Sequence, residues 1–348
     1  MSHGVWPQRL GRQAQAGETT IVEPIGVSAS APPAHRRPQR RRRLYQVWPS
    51  NNRFCCLGSL MMGSERDCAV IPGFGWSWAN CCAWSCILGP TTFFFVALAP
   101  TLWTAFLPLP IATALAFATT IIFLILACCS DPGVIPRRHI ILATQSEQHL
   151  EELLGYNPLG VGTPTGQLGQ DSDRMVPREL RERGFAWCYT CQIVRPPRAS
   201  HCAECDNCVL RFDHHCPFVN NCVGQRNYHY FMGFTTSVCC LSVLVLPTFA
   251  WSMLSDWGGP DGGLRGDLGE QPVAKYALIA LGGAAGIAAC LLITLWVYHL
   301  FLISQGKTTK EHLKGRRVEN LDDAPAFCAP RGPQLFDKYA WVQLDAIP

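Results

Sequence analysis

From Cys68 to Ser130 the chain contains not one Asp, Glu, Lys or Arg. A stretch of that length has room for two membrane spans of about 20 residues each. In lipid a span must satisfy its own backbone hydrogen bonds, which selects helices. Two more uncharged stretches run from Phe231 to Ser255 and from Tyr276 to Gln305, with His299 the one titratable ring near a span end. Four spans are therefore expected, near Ala83–Phe106, Ile111–Cys129, Phe231–Trp251 and Tyr276–Ile303, with Pro108 and Pro110 in the first hairpin. Charged residues make up 16% of the chain, below the ~25% usual in soluble domains. A formal net charge of +4 gives no reason to invoke nucleic acid. The spans carry no acidic or basic side chain that would mark a transport pathway.

Lys and Arg are dense between the second and third spans, sparse between the third and fourth, and absent from the first hairpin. Positive charge stays on the cytosolic side, so both termini and the segment between spans two and three face the cytosol. The domain order follows. Residues 1–44 are an Arg-rich arm with no apolar period, expected to be disordered, and 45–82 are a juxtamembrane segment. Residues 83–129 hold spans one and two. Residues 130–183 are a linker with an amphipathic helix at Ile141–Leu154 and a Gly-rich stretch over 155–173. Residues 184–230 are a cysteine-rich unit, 231–303 hold spans three and four, and 304–348 form a tail. Residues 68–86 are unusually rich in Cys and Trp for a first span.

The cysteine-rich unit reads Cys-x2-Cys-x9-His-Cys-x2-Cys-x2-Cys-x4-Asp-His-His-Cys-x5-Cys from Cys188 to Cys222. Nineteen cysteines in a long chain without a signal-type segment argue for reduced thiols rather than a disulfide framework. Cys-x2-Cys pairs with histidine are the ligand vocabulary of structural zinc, four ligands to each ion. With Cys216 set aside, Cys188, Cys191, Cys202, Cys205, Cys208, Cys222, His201 and His215 fill two closed Cys3His sites. Neighbours such as His201 and Cys202 point to opposite sides of an extended chain, so they serve different ions. Binding stabilises such a segment by about 10–16 kcal/mol per ion. An iron–sulfur cluster or redox dithiol is the competing reading; histidine in closed sites favours zinc. The motif shows no sustained period, so short hairpins held by metal are expected. The fold class is thus all-α integral membrane, four transmembrane helices with a small zinc-stabilised cytosolic domain of short β-hairpins.

Cys216, left out of the metal arithmetic, is a candidate nucleophile beside His214, since a nearby base or cation raises the thiolate fraction. Asp213 would orient the other ring nitrogen of His214, which requires a local bend because simple alternation puts Asp213 on the opposite side. Cys216 lies 15 residues before Phe231, where a span begins. A substrate with its chain in the bilayer and its head in the cytosol fits that place, and thioester exchange through Cys216 needs no external energy. Arg195 and Arg198 are candidates to receive coenzyme A phosphates, because Arg forks match phosphate geometry. The alternative is a non-catalytic, membrane-tethered zinc module that binds a partner.

These residues resemble the cysteine-rich domain of the DHHC protein S-acyltransferases at every metal and catalytic position. Asp131-Pro132-Gly133 is similar to that family's DPG motif, and Thr308-Thr309-Lys310-Glu311 to its TTxE motif. Asn51-Asn52-Arg53-Phe54-Cys55-Cys56 and Leu60-Met61-Met62 resemble the N-terminal region of the Golgi Ras-palmitoylating subgroup. The resemblance covers residues 45–317. It implies one zinc on Cys188, Cys191, His201 and Cys208, and another on Cys202, Cys205, His215 and Cys222. It also implies activation of Cys216 by Asp213 and His214, long-chain acyl-CoA as donor, protein cysteines as acceptors, and four spans around the acyl chain. Asp131, Thr308, Thr309 and Glu311 become supporting residues. An accessory protein and an endomembrane location, Golgi or ER, are further implications. Two departures stand out. Asn320 is followed by Leu321-Asp322-Asp323-Ala324 where the family carries an Asn-plus-aromatic element, and Phe218 replaces the usual Trp.

Overall fold

The computed structural model describes residues 41–64, 77–160, 175–258, 272–315 and 332–343. Among them four helices are long and apolar enough to cross a membrane, Trp78–Leu98, Pro108–Cys129, Tyr228–Ser252 and Ile279–Ser304, here spans one to four. Span one starts five residues before the expected Ala83. The Ser77 hydroxyl caps it by accepting from the Asn80 N–H at 3.0 Å, a strong N-terminal signal. Its helical run reaches Ala105 through a π-helical stretch at Phe94–Leu98. Span three continues to Gly258 through Pro247, and the helix of span four begins at Pro272.

Gly282 of span four lets Phe249 of span three approach so closely that a Cβ there would sit 3.1 Å from the ring, whereas Gly286 meets nothing within 4 Å. Small residues on one face serve close helix contact; here only the first of the two does so.

All-α describes the spans and not the rest of the chain, which contains five small antiparallel sheets among the described residues. Three consecutive hairpins form the cysteine-rich unit: Ala186–Cys188 with Ile193–Arg195, Ser200–Cys202 with Asn207–Val209, and His214–Cys216 with Asn221–Val223. They are hairpins one to three below. Val134–Ile135, just after span two, adds a third strand to hairpin two. Another hairpin, Asn52–Cys55 with Leu60–Ser64, packs beside hairpin three: the Gly63 N–H donates to the Asn220 carbonyl at 2.8 Å.

Two sequence expectations need correction. The arm read as disordered through residue 44 has regular structure over Arg41–Leu44. Arg41–Arg43 pair with Trp341–Gln343, Arg43 stacks on the Trp341 ring at 4.1 Å, and Leu44 is fully buried. The non-local strand partner, some 300 residues away, could not be read from local composition. The helix expected at Ile141–Leu154 is two helices, Arg138–Thr144 and Glu147–Leu154, because Gln145 takes a left-handed conformation, φ 51°, and ends the first. Residues 1–40, most of the Gly-rich stretch and the tail around Asn320 lie outside the described residues.

Candidate active site

The three hairpins supply two ligand clusters, and hairpin two contributes to both. Hairpin one gives Cys188 and Cys191, and across hairpin two His201 faces Cys208; the four ligand atoms lie within 4.8 Å of one another. Hairpin two also gives Cys202 and Cys205, and across hairpin three His215 faces Cys222, closing a second set of the same size. His201 Nδ1 is 3.4 Å from the Cys191 sulfur and 3.9 Å from that of Cys208; His215 Nδ1 is 3.4 and 3.7 Å from those of Cys205 and Cys222. A tetrahedral ion about 2.3 Å from sulfur and about 2.0 Å from nitrogen sets such atoms about 3.5 Å apart. The donor sets therefore fit one zinc-sized ion each, and they interleave through His201–Cys202 and His215 as the chain alternation requires. Backbone N–H groups support the thiolates: Cys191 N–H reaches the Cys188 sulfur, and Cys205 N–H the Cys202 sulfur, each at 3.5 Å.

Cys216 belongs to neither cluster. It ends the first strand of hairpin three, buried against the membrane helices together with Val219, Val223 and Phe231. Burial alone would raise the pKa of its thiol. The hydrogen bond and charge of His214, with backbone N–H groups of Val219 and Phe218, outweigh burial and hold it below the ordinary value. His214 is itself opposed by burial, but its bonds to Asp213 and Cys216 hold its pKa above the usual imidazole range. Imidazolium and thiolate thus stabilise each other.

Asp213 precedes the strand, and this supplies the bend. His214 Nδ1 donates to Asp213 Oδ2 at 2.6 Å. The Thr309 N–H donates to Oδ1 at 2.8 Å and its hydroxyl to Oδ2 at 2.7 Å. Asp213 is 1% exposed; burial disfavours its charge, yet these partners keep its pKa below the usual carboxylate value. A separation of 2.6 Å is too short for two ligands flanking an ion, so the Asp213–His214 pair is a hydrogen-bonded relay.

The short segment after span four locks this relay. Thr308 caps the helix Thr309–Leu313 in a capping box with Glu311, which satisfies two N–H groups reciprocally. Glu311 also receives Arg198, Nε to Oε1 at 2.8 Å, while another Arg198 nitrogen donates to the Gly306 carbonyl at 2.9 Å. Arg198 is thereby tied to the segment after span four, while Arg195 is half-buried on hairpin one. Asp131 sits at the other corner. Its Oδ1 accepts from the Gly133 and Val134 N–H groups at 2.9 Å and its Oδ2 pairs with Arg226 at 3.2 Å, joining span two to the cysteine-rich unit.

Three positioning groups escaped the sequence reading, and a fourth, His299, was noted only as a ring near a span end. Asn221 donates to the Ser130 carbonyl at 2.8 Å and to the Cys128 carbonyl at 3.1 Å, closing the end of span two. Ser77 and Asn80 donate to the carbonyls of Pro217 and Phe218, fastening span one to the turn after Cys216. His299 is buried beside His214. The one signal for the first three was a polar side chain near the start of an element, too common to stand out.

Below Cys216 a cavity of about 280 Å³ opens between spans one, three and four, lined by Cys82, Ile87, Phe234, Val245 and Leu292 among others. Cys82 and Cys86 thus have a place as small wall residues. From Phe231 to Val245 the wall runs about four helical turns, about 21 Å, a depth on the scale of a long acyl chain.

Fold and site together define a polytopic membrane protein with a buried thiol, outside both ligand clusters, beside an Asp–His pair. The family model for DHHC palmitoyltransferases matches residues 182–316. Palmitoyltransferase ZDHHC9 of Homo sapiens is 32% identical over 329 residues, 88% of this chain and 82% of that protein. The Danio rerio ZDHHC9 is 32% identical over 85% of this chain and 75% of its own length. Palmitoyltransferase ZDHHC18-B of Danio rerio is 29% identical over 97% of this chain and 84% of its own length. The chain belongs to the DHHC palmitoyltransferase family, and its activity is protein S-acylation.

Proposed function

We propose that the enzyme works by two thioester exchanges through Cys216. In the first, the Cys216 thiolate attacks the carbonyl of a long-chain acyl-CoA whose tail occupies the membrane cavity. The bond to the coenzyme sulfur breaks, and the proton held on His214 passes to the departing thiolate. In the second, a cysteine of a target protein attacks acyl-Cys216. His214 takes the incoming thiol's proton as Cys216 leaves. The same ring serves both directions, giving a proton in the first step and taking one in the second, and Asp213, fixed by Thr309, keeps it oriented.

The observation that carries this reading is the burial of a thiol with a lowered pKa at the mouth of an apolar cavity, outside both metal clusters. Two zinc ions on the Cys3His sets would hold hairpins too small to carry a core of their own. Arg195 remains the candidate contact for coenzyme phosphate. Lys and Arg placement supports cytosolic termini, and an endomembrane site with membrane-anchored or cytosolic protein substrates, with or without an accessory protein, fits that orientation. The test is intact-mass spectrometry of the purified chain with acyl-CoAs of graded length. A hydroxylamine-sensitive adduct that disappears in Cys216→Ser is expected; an adduct that survives the substitution overturns the reading.

A further inference from the structure

His299 sits on span four, 1% exposed. Polar rings inside membrane spans are costly and mark function by default. This one has a hydrogen-bond partner from another span: its Nδ1 is 3.0 Å from the Tyr228 hydroxyl at the start of span three. It also reaches the relay. One of its nitrogens lies within 4.8 Å of a carboxylate oxygen of Asp213 and a ring nitrogen of His214. Its ring centre is 5.8 Å from that of His214 and 5.0 Å from that of Phe231, and Phe231 stands edge-on to His214 at 5.3 Å.

A single hydrogen bond to Asp213 fixes the direction of one His214 nitrogen but leaves the ring free to tilt about that bond. The tilt decides whether the opposite nitrogen meets Cys216. On the side of the segment after span four, Thr309 buttresses the pair among the described residues, and it acts on Asp213. From the membrane side, Phe231 and His299 close on the His214 ring, and Tyr228 holds His299 in turn. Phe231 also lines the acyl cavity, so the same contact lies next to the bound chain.

We propose that His299, held by Tyr228, is a positioning residue that fixes the tilt of His214 from the membrane side. The inference rests on His214 being the base for Cys216. It is tested on the full chain in detergent with palmitoyl-CoA, following single-turnover adduct formation across substrate concentration. His299→Phe keeps a ring but loses the bond to Tyr228, and Tyr228→Phe loses the same bond from the other side. Each is expected to slow maximal adduct formation about tenfold with the half-saturating palmitoyl-CoA concentration unchanged. The double variant should be no slower than the slower single one. His299→Asn, which can place a polar atom near the Nδ1 position, should recover most of the rate; a purely space-filling role predicts the reverse order. Rates within twofold of wild type in both Phe variants, losses seen only in half-saturation, or no rescue by Asn each overturn the inference. His214→Ala and Cys216→Ser are run in parallel. If they still form adduct, the base reading fails and takes this inference with it; if they do not, a failure is confined to His299.

Discussion

Val219 lies three residues after Cys216, the place Cys191 holds after Cys188 and Cys205 holds after Cys202. The equivalence is structural. In each hairpin the first residue of the trio ends a strand, and the residue after the third turns left-handed: Gln192 at φ 55°, Asp206 at 54°, Asn220 at 48°. In the first two, the N–H of the third residue points back at the first sulfur, and the Val219 N–H likewise supports Cys216. Hairpin three thus retains the turn that stabilises a metal-bound thiolate but lacks the second thiol. Each metal site is completed by a His/Cys pair from the following hairpin; after hairpin three the chain enters span three instead, and an apolar cavity adjoins Cys216.

That division predicts opposite outcomes for two serine substitutions. Cys202→Ser removes one of four ligands and should lower bound zinc and melt the hairpins, because ion binding supplies the folding free energy of such units. Cys216→Ser should retain two zinc ions per chain and an unchanged melting temperature while losing all adduct. Metal analysis of the purified variants separates the cases. Zinc lost with Cys216→Ser would assign that sulfur to an ion.

Reactivity should follow pH through Asp213. Its carboxylate favours the protonated imidazole of His214, and that charge favours the thiolate of Cys216. Asp213→Asn removes the carboxylate, so His214 releases its proton more easily and the Cys216 pKa rises. Alkylation of Cys216 by iodoacetamide, followed by peptide mass spectrometry across pH, should show its midpoint moved upward. An unmoved midpoint would mean that the Val219 and Phe218 N–H groups stabilise the thiolate without the relay.

Much of this was legible because ligand chemistry is local. Eight ligands at Cys3His stoichiometry, an extra thiol next to Asp-His, and charge-free runs of span length all follow from residue type and spacing. What was not legible depends on distant partners. Nothing around Arg41 announces a strand whose partner is Trp341–Gln343. The pairing of Arg198 with Glu311 spans over a hundred residues, so its local sequence does not announce it. His299 stood out as a ring near a span end, but its neighbours His214 and Tyr228 belong to other elements. The capping box of Thr308 and Glu311, by contrast, was visible in principle as Thr-x-x-Glu.

The Arg198–Glu311 pair has side chains only 6% and 12% exposed. Removing one partner of a buried pair leaves the other charge uncompensated, at a cost of about 3–5 kcal/mol. Glu311→Ala should therefore lower stability by about 3 kcal/mol, seen as a reduced thermal midpoint, and should slow acylation because the Thr309 contact to Asp213 loses its anchor. The double variant Arg198→Ala, Glu311→Ala should recover part of the stability but not the rate. Full recovery of both would show that the segment after span four reaches Asp213 without the ion pair.

The missing second thiol can be restored. Val219 is fully buried in the same apolar cluster as Cys216, and Val219→Cys is a small change in volume, so the hairpin should fold. A new thiol three residues from Cys216, in the turn that elsewhere brings two sulfurs to one ion, has geometry suited to a Cys-x2-Cys pair. Such a pair either closes to a disulfide or holds a soft metal, and each outcome takes Cys216 out of the reaction. Mild oxidation with diamide should abolish adduct formation in this variant and a thiol reductant should restore it, while wild type and Val219→Ala keep their activity through the same treatment. Acylation that resists oxidation in Val219→Cys would mean the two positions diverge. The turn around Cys216 would then be unrelated to the metal-binding turns before it.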